Sequence, residues 1–184
     1  MKNMIAKNWY FAAMLVLASI PSPGRAQGFE GMWNFDKSQS KDIGAFFESG
    51  EMRYRMQITN EGNDNLVIED LTTTEAGWKR SKLNVNLKGA ETASEYPRGD
   101  LAIFSFEAVA IGPDQTLKTK ATDVTRSSFD LTEYFTVLVS QGTYNVVLRS
   151  HYALSADGKT LTVTQTRNSR KYDEPAVYVF HRAE

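Results

Sequence analysis

From residue 52 onward the chain alternates apolar and polar side chains with a period of two. Met52, Tyr54, Met56 and Ile58 share one face of an extended segment, and Arg53, Arg55, Gln57 and Thr59 share the other. Leu83, Val85 and Leu87 alternate with Lys82, Asn84, Asn86 and Lys88, and Leu161 and Val163 alternate with Thr160, Thr162 and Thr164. From residue 144 on, the face formed by Tyr144, Val146, Leu148, Tyr152 and Leu154 opposes Asn145, Arg149 and His151. Successive side chains of a strand point to opposite faces, so this rhythm predicts strands with one buried side. Weaker alternation predicts strands over 66–73, 101–111, 115–122 and 129–139, and 176–182 is largely apolar on both faces. With the opening segment near Trp33, the count is eight to ten strands.

Turn chemistry separates these runs. The segment 60–65 is wholly polar or glycine, Gly112-Pro113-Asp114 places proline where a type I turn accepts it, and Gln141-Gly142 and Asp157-Gly158 are hairpin signals. Pro97-Arg98-Gly99-Asp100 forms a longer corner. Short connections favour up-and-down order, and closing the sheet removes two unpaired edges. The predicted fold is all-β, an antiparallel up-and-down barrel whose interior is wide enough for side chains or one small ligand. One stretch departs from the pattern. Ser40 is placed to cap a short helix over 42–48, with Ile43, Phe46 and Phe47 on one side and Gly44 weakening it. A loop anchored by its aromatics is the alternative.

Residues 1–26 read differently. Lys2 and Lys7 precede an apolar run from Trp9 to Ile20, then Pro21, Pro23 and a small-residue ending at Ala26. This is the layout of a secretory signal peptide, and the run is shorter than the ~20 residues of a spanning helix. A single domain over 27–184, exported to the periplasm or beyond the cell, is expected, with no membrane span after cleavage. Three of the 21 basic residues, Lys2, Lys7 and Arg25, leave with the leader, so the remainder is weakly acidic against its 22 carboxylates. That sign argues against nucleic acid and against anionic membrane surfaces. The chain has no cysteine, which excludes disulfides, thiolate catalysis and cysteine-ligated metals.

Gly31-Met32-Trp33 opens the first strand, and Gly-x-Trp there resembles the lipocalin signature. The continuation Asn34-Phe35-Asp36-Lys37-Ser38 is similar to the start of exported bacterial lipocalin-like domain proteins, as is the hairpin Leu154-Ser155-Ala156-Asp157-Gly158-Lys159-Thr160-Leu161. The resemblance covers both ends of the 27–184 segment. It implies a calycin-type barrel closed at one end by Gly31 and Trp33, with Arg182 packing over the tryptophan. A Thr-Asp-x-x-Tyr element and a C-terminal helix, common among lipocalins, are absent from the sequence.

No constellation for catalysis stands out. Ser38-Gln39-Ser40-Lys41 matches S-x-x-K, but its partner Gly158-Lys159-Thr160 lies in a hairpin with the wrong residue order. His151 falls on the polar face of its strand beside Arg149, and His181 lies near the chain end; neither has the company of a haem or metal ligand. The oxygen-rich segment 60–65 lacks the length of a calcium loop. No metal or cofactor is expected. Glu107 and Glu133 sit on otherwise apolar faces: either these faces turn to solvent, or the carboxyls are paired or point into a wet cavity, where burial would raise their pKa and mark a site. An apolar pocket would be lined by Tyr54, Met56, Trp78, Phe104 and Phe106 together with Glu133, Phe135, Tyr144 and Tyr152. Three functions compete. One is a non-catalytic barrel holding a small hydrophobic or amphipathic ligand. Another is a filled barrel that binds a protein partner through loops such as 91–100 or 169–175. The third is a barrel enzyme, for which His151 and Glu133 are the residues to substitute.

Overall fold

A computed structural model describes residues 28–43, 53–74, 77–95, 116–139, 142–168 and 174–184. Ten strands follow one another: β1 (Gly31–Phe35), β2 (Tyr54–Gly62), β3 (Asn65–Thr74), β4 (Gly77–Asn86), β5 (Thr92–Glu95), β6 (Thr116–Thr122), β7 (Ser128–Val139), β8 (Gly142–Leu154), β9 (Thr160–Arg167) and β10 (Ala176–Arg182). They form a single sheet in the order β4-β3-β2-β1-β10-β9-β8-β7-β6-β5, every neighbouring pair antiparallel. Consecutive strands pair, except β4 with β5, and the first pairs with the last, so the chain goes up and down around a barrel. The expected all-β barrel is the observed one.

Where β4 meets β5 no ladder forms, and side chains close the gap instead. Asn84 donates its backbone N–H to Ser94 Oγ at 2.8 Å and its side-chain amide to Ala93 O at 3.1 Å. The hydroxyls of Thr92 and Thr119 meet each other and the carbonyl of Asn84. Hydroxyls and a side-chain amide thus satisfy backbone groups that a continuous ladder would have used.

Alternation decides what enters the core. Inward positions of neighbouring strands fall into register, as in the rows Ile58–Ile68–Leu83 and Phe129–Tyr152–Val163–Tyr178. The largest fully buried side chains are Trp33, Phe29, Phe129 and Phe180. Phe129 stacks on Tyr152 with centroids 4.6 Å apart and meets Phe29 edge-on at 4.9 Å. These aromatics fill the end of the barrel that also holds the β6–β7 and β8–β9 connections.

Three local details sharpen or change. The polar segment 60–65 is a hairpin connection, tighter than its six residues suggest. β2 runs to Gly62 and β3 starts at Asn65, leaving Asn63 and Asp64 as a two-residue turn with φ of 51° and 64°. Asparagine and aspartate tolerate that left-handed region and match the twist of a hairpin. Within 91–100, Thr92–Glu95 is strand β5 rather than loop. After β1, Ser40 does not cap a helix. Asp36 caps a short 3-10 turn over Lys37–Gln39, and the Ser40 hydroxyl donates to Asp36 O and accepts from Val179 N, pinning the segment along β10. The helix expected over 42–48 and the strand over 101–111 lie largely or wholly outside the described residues.

Candidate functional site: a plugged end and an acidic interior

The barrel is sealed at one end by a stack of aromatic and cation. Trp33 is wholly buried and donates its indole N–H to Phe29 O at 2.9 Å. The guanidinium of Arg182 lies 4.3 Å over its ring. Arg182 also donates to the carbonyls of Gly28, Glu30 and Gly158. These bonds tie the segment before β1, the β8–β9 hairpin and the end of β10 together. Gly31 has φ of +130°, and a Cβ there would stand 2.8 Å from Arg182 Nη1. Only glycine lets the guanidinium approach so closely.

Further along the interior, polar groups replace hydrocarbon. Five polar or charged residues are buried: Asp70, Ser94, Thr119, Glu133 and Ser150. Most find partners. Tyr54 donates its hydroxyl to Asp70 at 2.7 Å, Gln165 donates to Ser150 at 3.2 Å, and Ser94 and Thr119 belong to the β4–β5 closure. Glu133, only 6 % exposed, has no hydrogen-bond or ion-pair partner among the described residues. It points inward from β7, opposite Thr119 of β6 and Leu148 of β8. Burial, and then the charge of Asp70 on β3, push its carboxyl up from 4.5 to about 8. The Tyr54 phenol is raised by burial, then by Asp70, and that of Tyr152 by burial, then by Glu133 and Asp70. Two carboxyls from well-separated strands therefore sense each other through the interior, with tyrosine hydroxyls around them.

The residues expected to line a pocket divide. Tyr54, Met56, Glu133 and Tyr152 are buried and face the interior. Phe135 is partly buried against the core. Tyr144 occupies an inward position on β8 but lies far from the plug, near the start of the strand, and is 52 % exposed, so it stands at the rim rather than within. Trp78 pairs with Thr73 in β4, its side chain outside the described residues. Phe104, Phe106 and Glu107 fall outside them altogether.

Sequence reasoning missed Asp70. It shares its face with Leu66 and Ile68, the same signal that singled out Glu133, but apolar Val67 and Leu71 on the other face blur the alternation. The histidines are both on the outside. His151 Nδ1 meets Asp130 at 2.5 Å, and His181 lies between Asp36, at 3.0 Å, and Thr160, at 3.4 Å. Ser38 of the S-x-x-K match gives its hydroxyl to Asp36, away from Lys41, whose backbone bridges Val177. No cluster of three metal-ligating side chains occurs among the described residues.

No protein-family model and no curated protein sequence matches the chain. Solved structures do. Fatty-acid-binding protein 1 of Echinococcus granulosus superposes with a TM-score of 0.51 at 11 % identity, over 85 % of this chain and 98 % of that one. A variant of the fluorescent protein UnaG superposes with a TM-score of 0.52 at 14 % identity, over 85 % of this chain and 97 % of that one. At such identities the likeness is one of fold alone: these proteins share with this chain an antiparallel, up-and-down β-barrel.

Proposed function

We propose that the protein is an exported, non-catalytic barrel that binds one small hydrophobic or amphipathic molecule in its interior. The observation that carries this function is Glu133: an inward carboxyl, 6 % exposed, with no partner among the described residues. A buried polar group without a partner costs about 1–3 kcal/mol, more when charged, and is met in native proteins by water or a ligand. Around it, Met56, Tyr54 and Tyr152 offer apolar and phenolic surface. The shared fold with a protein named for fatty-acid binding supports the same function by analogy. Export is supported by the leader layout of residues 1–26.

Titration with the solvatochromic dye Nile red, followed by native mass spectrometry, tests this directly. One dye per chain, displaced by a long-chain alcohol and retained as a 1:1 complex in the gas phase, is the expected result. A chain that leaves the dye in water and carries no small molecule contradicts it.

A further inference from the structure

Among the described residues, the buried titratable groups of the barrel interior have one chemical sense. Asp70 and Glu133 are acids, and Tyr54, Tyr152 and Tyr178 present phenols close enough to perturb one another. The charged side chains of the strands flanking Glu133 do not face it. Lys118 and Lys120 of β6 and Arg149 of β8 are exposed on the outer surface. Arg167 of β9 lies one strand beyond Leu148 in the same row and forms no ion pair with Glu133. Asp70 already accepts the Tyr54 hydroxyl. Glu133 is thus a buried acid that no described cation neutralises. Its low-dielectric surroundings make a single incoming positive charge worth more than it would be in water.

We propose, building on the interior-binding function above, that the ligand is a primary amine with an apolar tail, its ammonium group taken by the Glu133 carboxyl with Asp70 reinforcing the negative field. A carboxylate-headed ligand would instead bring a second negative charge into a buried interior that already holds Asp70, with no cation to offset it, and is disfavoured. In the empty protein near pH 7 the Glu133 carboxyl carries its proton. An ammonium ion entering beside it draws out the carboxylate, and the proton leaves to solvent. The amine keeps all of its own protons, so binding releases close to one proton per ligand. Affinity therefore climbs by nearly tenfold per pH unit up to about 8, where Glu133 ionises unaided, and levels beyond it.

The test is calorimetric titration of the full-length chain with dodecylamine, dodecanol and dodecanoate, in buffers of different ionisation enthalpy, for the wild type and for Glu133→Gln. The expected results are amine binding at least about tenfold tighter than alcohol, proton release near one, and loss of that preference in E133Q. Equal affinity for amine and alcohol, no proton release, or a preference for dodecanoate overturns the amine assignment while leaving an interior binding barrel. Failure of all three to bind removes the interior-binding function with it. Proton release is read on the wild type, so the outcome does not depend on how well the variant folds.

Discussion

Arg182 and Trp33, 149 residues apart in the chain, meet with the guanidinium 4.3 Å over the indole ring. The guanidinium at once covers the indole and donates to three carbonyls from two other segments, so it holds one end of the barrel by stacking and hydrogen bonds together. Arg182→Ala loses both and strands the carbonyls, a cost of about 2–4 kcal/mol. Arg182→Lys keeps the charge but not the planar fork, and recovers less than half. Urea denaturation followed by Trp33 fluorescence measures each step; an alanine variant as stable as the wild type contradicts the role.

Gly31→Ala forces a methyl group against Arg182 Nη1 and a β-carbon into a backbone with φ of +130°. A loss of about 1–3 kcal/mol is expected. Part of it is steric and vanishes when Arg182 is absent. The double variant with Arg182→Ala is then more stable than the sum of the single changes requires, by about 0.5–1 kcal/mol in the double-mutant cycle.

Ser94 supplies the oxygen that satisfies the Asn84 N–H where the ladder between β4 and β5 is missing. Ser94→Ala leaves that N–H without its acceptor, at about 1–2 kcal/mol. Hydrogen exchange of the Asn84 amide is expected to quicken markedly, with little change in the Val163 amide of β9 on the opposite wall. Uniform acceleration across the sheet would point to global destabilisation instead of a local seam.

The pH dependence of stability follows from Glu133. Its carboxyl is raised in the folded state, so between 4.5 and about 8 the folded chain binds more protons than the unfolded one. Stability conferred by this group is full below 4.5 and declines as pH rises through that window, by about 4–5 kcal/mol in all. Asp36 has the opposite sense. Bonds from Ser38, Gln39 and His181 hold it near 2, so its contribution is present above 3.8 and fades as pH falls through about 2. Glu133→Gln removes the first slope and makes the protein more stable than the wild type near pH 8. Denaturation midpoints at several pH values check this; a wild type whose stability rises from pH 5 to 8 contradicts it.

The barrel was legible because nearly every strand has a buried and a wet face, and the period of two survives in the sequence wherever one face stays polar. It blurs in β3, where Leu66, Val67 and Ile68 are all buried, and there Asp70 escaped notice. β5 escaped for another reason. Its four residues, Thr92–Glu95, are held by a backbone ladder to β6 and by side-chain hydrogen bonds to β4 rather than by an apolar face, and no hydropathy pattern records that. The tyrosines show the limit of parity. Tyr144 and Tyr152 share one face of β8, yet one is exposed and the other buried, because depth along the barrel is set by where the plug sits. Glu133 was visible as a carboxyl on an apolar face; that it would meet Asp70 across the interior required the closure itself.

The titration of the Glu133 carboxyl, followed by carbon-13 resonance in the free chain and with dodecylamine in excess, reaches the central claim most directly. A midpoint near 8 that drops by at least about two units on saturation is the result expected of an unpartnered interior acid that receives a ligand. A midpoint near 4.5, unmoved by the amine, would mean that this carboxyl sits in water and that the barrel has no acidic site within.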